Sequence, residues 1–371
     1  MLKVALICPF NLDRLSGTPV RAKLTAQCLS NYCELLVCAT GGNDGYVKVI
    51  NNVWQPRSQR QPRFRLDHFT IQVLQGLQQF QPDIIHLVTP PGILSALLYK
   101  LRHPNVKIIT EIHGLTRYEM TGGSWLARNT FHFLDYLSLG FAHHIIAMSY
   151  SQVELITQLF GKNLSKKISV IWGPVDLTII QSMPLPAGDK FIIGYLGNGS
   201  FWQGVDLILN AVKELQNHPQ IHFILGGIQP DLYKIQLPQP LPDNLTVIPT
   251  VPIGEESVFL SQCHALISSR IGGAVTQSQY PYKLSYYLAA GRPIIASDVS
   301  DQRRILEQAN CGLLFDPRQP KTLVEQILSL FHMNYEQRQK MGENARHFAE
   351  KYLSLDKLGL TLLDIYQRKG G

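Results

Sequence analysis

The chain has 371 residues, of which 45% are hydrophobic and only 16% charged. At roughly 100–200 residues per domain, this length predicts two domains that each bury a core, and it excludes a single small module or a disordered chain. Lysine and arginine exceed the acids, 34 against 27, for a formal charge of +7. That balance favours an anionic partner such as nucleotide phosphate, acidic lipid or nucleic acid, and chooses none of them.

Six cysteines, at 8, 28, 33, 38, 263 and 311, form no C-x-x-C pair and have no histidine at zinc-site spacing. They read as reduced, buried thiols, which suits a cytosolic compartment. The opening MLKVALICPFN has a short apolar run that stops at Pro9 without a small-residue cleavage site. No stretch reaches the roughly 18 apolar residues of a membrane span. The expectation is a cytoplasmic protein, neither secreted nor integral to a membrane.

In chain order, apolar β-branched runs recur as KVALICP, CELLVCAT, DIIHLVTP, VKIITEIHG, HHIIAMS and SVIWGP. Their near-continuous hydrophobicity predicts parallel strands covered on both faces. Between them lie helical periods, as in Leu66, Phe69, Val73, Leu77 and Phe80. A doubly wound α/β sheet follows. Residues 176–189, with Pro184, Pro186 and Gly188, read as an interdomain linker after a first domain of residues 1–175. A second β-α series over 190–352 carries FIIGYLG, IHFILGG, NLTVIPT, HALISS, PIIASD and CGLLF, with helices GVDLILNAVKELQN and KTLVEQILSLFHM. Residues 353–371 read as a helix packing back across the first domain. Two such Rossmann-like halves predict a ligand cleft between them.

Several residues sit where chemistry is expected. After the first strand, Gly17 permits close backbone approach and a helix starting near Pro19 offers amides to an anion, with Arg21 one step on. A ligand-free tight turn selects the same Gly-Thr-Pro, so this signal is open between the two readings. TEIHG places His113 at the carboxyl edge of a strand, where doubly wound folds bind ligands, as a donor to a substrate hydroxyl. A histidine satisfied by a nearby carbonyl is the alternative. Glu111, two residues earlier, shares its face and is a secondary candidate. In FIIGYLGNGSFWQGVDLILNAV, glycines at 194, 197, 199 and 204 shape a turn that cradles phosphate on backbone amides, but they match neither G-x-G-x-x-G nor a P-loop, so no dehydrogenase reading follows. In QSQYPYKLSYYLAAGRPIIASD, Lys283 at a helix start can meet phosphate as a point charge, or lie in solvent beside packed aromatics.

Together these motifs resemble the retaining, nucleotide-sugar-dependent glycosyltransferases of the GT-B fold, the group 1 family, over nearly the whole chain. PDIIHLVTP and TEIHG resemble the family's D-v-i-H strand and the strand with an active-site histidine. GPVDLTII resembles its N-G-V-D hinge, with Pro174 where glycine is usual. FIIGYLGNGSFWQGVDLILNAV resembles its G-R-x-x-x-x-K-G strand and helix, and KLSYYLAAGRPIIASD resembles K-L-x-E-Y-L-A-A-G-x-P-v-i-a.

The resemblance implies transfer of a sugar from a nucleoside diphosphate donor, UDP- or GDP-linked, with retention and without a metal or other cofactor. His113 and Lys283 would carry the chemistry, the first on the donor sugar and the second on the leaving diphosphate. Gly17, Thr18, Asn198, Gly199, Ser200, Gln203, Ser278, Tyr282, Leu284, Ser285 and Tyr286 would line the donor. Four of these depart from the family: Asn198 and Gln203 stand where it has arginine and lysine, and Ser278 and Tyr286 where it has glutamates. Backbone amides, Lys283 and Arg21 or Arg270 would then hold the diphosphate. The alternative reading is a weakened relative serving as a binding or scaffolding partner, and a third is an epimerase or phosphorylase on the same fold. The acceptor would be a glycan, lipid-linked or small molecule, as in polysaccharide or glycolipid synthesis. Arg57, Arg60, Arg63 and Arg65, with Arg21, define the acceptor or membrane side, where an anionic surface on the inner face of the membrane would dock; a solvated loop is the default for such a charge run. No nucleic-acid motif accompanies them.

Overall fold

The structure is a computed structural model that describes residues 1–12, 17–40, 66–115, 118, 125–252 and 254–368. The arginines at 57, 60, 63 and 65 lie outside the described residues. The chain forms two compact units, one of residues 1–174, 278–280 and 355–371, the other of residues 175–277 and 281–354.

The first unit is built from β1 (Lys3–Asn11), α1 (Gly17–Leu29), β2 (Glu34–Thr40), α2 (Leu66–Phe80), β3 (Ile84–Val88), α3 (Ile93–Arg102), β4 (Lys107–Ile112), α4 (Trp125–Phe141), β5 (His144–Ala147), α5 (Tyr150–Phe160) and β6 (Ile168–Val170). The strands pair in parallel in the order β2-β1-β3-β4-β5-β6. The chain reverses its direction of winding between β1 and β3, and loops meet at the carboxyl ends there. Strand alternation divides β1 between two cores. Val4, Leu6 and Cys8 face α1 and the chain's last helix, and Ala5 and Ile7 face α2 and α3. Apolar residues are therefore needed on both faces, which is why the runs are continuous rather than alternating.

The second unit holds β7 (Phe191–Leu196), α6 (Val205–Glu214), β8 (Ile221–Gly226), β9 (Leu245–Ile248), α7 (Glu256–Ser261), β10 (Ala265–Ser268), α8 (Lys283–Ala289), β11 (Ile294–Ser297), α9 (Gln302–Ala309), β12 (Gly312–Phe315), α10 (Lys321–His332) and α11 (Tyr335–Tyr352). Its strand order, β12-β11-β10-β7-β8-β9, is that of a dinucleotide-fold sheet, with the reversal between β7 and β10. The proline-rich stretch 176–189 is tied to this unit rather than left loose. The buried Arg292 donates from Nη1 to Met183 O (2.6 Å) and from Nη2 to Pro184 O (3.2 Å), and Arg346 Nη1 donates to Ile180 O (2.8 Å). The last helix, α12 (Leu355–Gln367), returns to the first unit, where Cys28 Sγ donates to Leu355 O (3.1 Å). All six cysteines are buried free thiols, and burial raises the pKa of each. Among the described residues no helix is long and apolar enough to cross a membrane.

Candidate active site

In the second unit, the loop after β7 is shaped by two tyrosines. Tyr195, buried at the end of β7, donates its hydroxyl to Asn198 O (2.7 Å). Tyr287, on α8, accepts from Leu196 N (2.8 Å) and donates to Leu196 O (3.3 Å). Lys283 lies one helical turn before Tyr287, so both side chains leave the same face of α8 toward this loop. The Lys283 ammonium rests 3.7 Å from the centroid of the Tyr195 ring, a cation–π contact. Its Nζ is buried and makes no hydrogen bond among the described residues. Burial, with the charge of Arg270 adding to it, holds the Lys283 pKa well below the usual lysine range.

Glycine makes this approach possible. A Cβ on Gly197 would sit 3.0 Å from the Lys283 Nζ, and one on Gly227, whose φ is +84°, would sit 2.8 Å from Gly197 O. The turns after β7 and β8 thus touch backbone to backbone. Gly199 is covered from the other side, since a Cβ there would meet Ile235 Cδ1 at 2.2 Å. Asn198 is exposed, its Oδ1 accepting from Ser200 N (3.1 Å). Gln203 O accepts from Ser269 Oγ (2.8 Å), but the buried Gln203 Oε1 has no partner among the described residues. Arg270 follows β10, fully buried, and burial brings its pKa down to about 10. The carboxyl edge at the β7–β10 reversal therefore gathers two desolvated cations, an orphan amide oxygen and a glycine loop.

The first unit holds a second polar cluster at the corresponding edge. Glu111 on β4 is fully buried and takes the Arg21 guanidinium two-pronged, Nε to Oε1 at 2.8 Å and Nη2 to Oε2 at 3.1 Å. The third arm of Arg21, Nη1, donates to Trp172 O (2.7 Å). His113 Nε2 makes a short hydrogen bond to Glu111 Oε1. His86 on β3 shares its Nδ1 with the Tyr366 hydroxyl of α12 (2.6 Å) and turns Nε2 toward Glu111 Oε2 at 3.5 Å, without a hydrogen bond among the described residues. Burial pushes the Glu111 carboxyl up, but the charge of Arg21, followed by the histidines His113 and His86 against the carboxylate, outweighs it and leaves it well below the usual carboxylate range. Thr89, at the end of β3, sits at φ 78° and donates its amide to Glu111 O (3.1 Å). A β-branched residue in that region is held there by its surroundings, a feature concentrated at functional sites.

Several expected ligands are placed otherwise. Arg21 is not at a surface for phosphate or lipid, because all three arms of its fork are spent inside the first unit. Leu284 and Ser285 are fully buried, and their amides donate to Pro281 O (2.8 Å) and Tyr282 O (3.1 Å), so their backbone builds the start of α8. Ser278 is buried and clusters with the first unit, its carbonyl accepting from Gln152 Nε2 (2.6 Å). Tyr282 and Tyr286 are half-buried ring neighbours 6.0 Å apart, and burial lifts the Tyr286 phenol to about 12. Gly17 is exposed and Thr18 half-buried at the start of α1. A cavity of about 710 Å³ lined by Asp83, Tyr99, Arg102, His103 and Lys107 opens at the opposite, amino edge of the first sheet. It is remote from the chemistry.

Family models divide the chain between them. That of the group 1 glycosyl transferases matches residues 179–348, and that of glycosyltransferase family 4 matches residues 17–179. Between them the two models span most of the chain, and the chain is a glycosyltransferase. An uncharacterized glycosyltransferase from Methanocaldococcus jannaschii is 26% identical over 298 residues, 77% of this chain and 75% of that one. Solved structures share the glycosyltransferase's GT-B fold. Sucrose-phosphate synthase from Thermosynechococcus elongatus superposes with a TM-score of 0.74 at 17% identity, covering 99% of this chain and 98% of that one. HepE from Anabaena, in complex with UDP and glucose, also reaches 0.74, at 14% identity over 98% and 99%. The match to an enzyme family gives the scaffolding alternative no support.

Residue patterns alone missed the partners that define both clusters in this glycosyltransferase. Tyr195 and Tyr287 hide within apolar runs, and His86 and Tyr366 lie 280 residues apart. The single available signal was the i, i+4 spacing of Lys283 and Tyr287 ahead of a glycine stop.

Proposed function

We propose that this glycosyltransferase moves a sugar from a nucleoside diphosphate donor, UDP- or GDP-linked, to a glycan, lipid-linked or small-molecule acceptor, with retention of anomeric configuration and no metal ion. The observation that carries the reading is Lys283, a buried ammonium without a hydrogen-bond partner among the described residues, beside a glycine loop. A cation kept desolvated is costly unless an anion completes it. As the glycosidic bond breaks, the leaving diphosphate gains charge, and a preorganised cation in low dielectric favours that state most. Arg270 adds to the field, and the loss of charge at Asn198 and Gln203 concentrates the task on these two. His113 contacts the donor sugar. The UDP and glucose bound to HepE, on a similar fold, support a nucleotide-sugar donor.

Thermal melts with UDP, GDP, ADP and TDP, alone and as sugar conjugates, test the reading. A ligand at about 100 times its Kd adds roughly 2.7 kcal/mol. A shift with one base is expected, and no shift with any would overturn the proposal. An anionic membrane surface is the proposed location of the acceptor side, supported by the charge of +7 and by Trp125, Leu126, Phe133, Tyr136 and Phe141 exposed along α4. Co-sedimentation indifferent to acidic lipid counts against it.

A further inference from the structure

We infer that Trp172 and Tyr150 form an aromatic shelf on which a sugar ring of the acceptor lies, so that the acceptor is recognised as a saccharide. This deepens the proposed function and rests on it: the nucleotide is assigned to the glycine loop of the second unit, which leaves the shelf in the first unit to the acceptor.

At the carboxyl edge of the first sheet, β4, β5 and β6 are parallel neighbours that end level. Ile112 pairs with Ala147 and Ala147 with Val170, and Ile171 N donates to Ala147 O (2.9 Å). Past those ends stand His113, Tyr150 and Trp172. At about 4.8 Å per strand, Trp172 stands two strands, or roughly 10 Å, along this rim from His113. Its ring centroid lies 6.1 Å from that of Tyr150, the first residue of α5, and the two planes meet at 66°. Trp172 is half-buried and Tyr150 is 42% exposed.

Aromatic residues scattered singly over a surface mean little. This pair is drawn from two neighbouring strand ends and is tied to His113. Arg21 gives Nε and Nη2 to Glu111 and its remaining Nη1 to Trp172 O (2.7 Å), while Glu111 Oε1 meets His113. One buried ion pair therefore fixes His113 and the backbone of Trp172 together, and an aromatic side chain on a fixed backbone has only two torsions to lose on binding. The face of an aromatic ring is negative and attracts positively polarised C–H groups. A sugar ring carries such groups on one face and hydroxyls around its rim, so it can lie on an aromatic wall and turn a hydroxyl along the edge toward His113. A planar base stacks best on parallel faces rather than on two walls at 66°, and an acyl chain has no group for the histidine.

Tryptophan fluorescence and calorimetry on the full chain test the shelf. The probes are methyl glycosides of glucose, galactose, mannose and N-acetylglucosamine and their disaccharides, with no nucleotide present. At least one saccharide is expected to change the emission, and Trp172→Phe to abolish that change while calorimetry still detects binding. Trp172→Leu and Tyr150→Leu, which each remove an aromatic face, are expected to weaken that binding about 3- to 10-fold. The KM for the acceptor should rise by a similar factor while kcat and the nucleotide Kd hold. No saccharide response in the wild type, or leucine variants that bind as tightly as the wild type, would overturn the inference. Should Trp172→Leu fail to fold, Tyr150→Leu decides. A melt shifted by nucleotide with no response to any saccharide overturns the shelf alone. Saccharide binding that the leucine variants weaken, with no shift by any nucleotide, supports the shelf and overturns the donor reading.

Discussion

Replacing Lys283 by methionine is expected to strengthen the free protein and cripple its donor site. Methionine keeps the length and packing of the side chain but removes a buried ammonium that has no hydrogen-bond partner among the described residues. An unsatisfied buried polar group costs about 1–3 kcal/mol, against which the lost contact over the Tyr195 ring is worth about 1 kcal/mol. The net gain of up to about 2 kcal/mol should raise Tm by up to roughly 4–8 °C. Nucleotide affinity should move the opposite way, since a charge-assisted hydrogen bond is worth about 1.5–3 kcal/mol, or roughly 10- to 100-fold in Kd. The pH dependence carries the same signature. With its folded pKa depressed, Lys283 binds fewer protons than it does in the unfolded chain between that value and about 10.4, so its contribution to stability rises with pH across that window. Above the depressed value, anion binding draws a proton back, which calorimetry in buffers of different ionisation heat detects. The methionine variant should lose both effects. A variant that melts lower without ligand, or binds nucleotide as tightly as before, would refute the reasoning.

Arg21→Met removes one partner of a fully buried pair and should cost about 3–5 kcal/mol by urea denaturation; an unchanged midpoint would rule out the two-pronged pairing. Because the Glu111 carboxyl lies well below its usual range, its share of stability is present above about pH 4.3 and lost as pH falls through its folded value. The acid limb of stability should therefore flatten in the Arg21 variant. Gly227→Ala adds a Cβ 2.8 Å from Gly197 O at a positive φ, and should cost about 1–3 kcal/mol while weakening nucleotide binding through the displaced loop. Gly272→Ala, which has nothing within 4 Å, is the control and should stay within about 0.5 kcal/mol in melts.

The strand runs from KVALICP to CGLLF were legible because a parallel strand buried on both faces must be apolar throughout, a demand met residue by residue. The glycine loop after β7 and Lys283 were legible too, since close backbone approach and a helix-start cation leave local marks. Local pattern misled at Arg21, which lies near a glycine turn and so reads as a phosphate ligand. The sheet order decided otherwise: with β1, β3 and β4 adjacent, α1 delivers Arg21 onto Glu111, 90 residues away. Leu284 and Ser285 were assigned by motif position, yet helix geometry turns them inward. Composition and periodicity thus determined the two α/β sheets, because burial is a property each residue declares by its own chemistry. Only the tertiary structure decided which charges meet a counter-charge and which, like Lys283, are buried without one among the described residues, because that depends on which strands become neighbours.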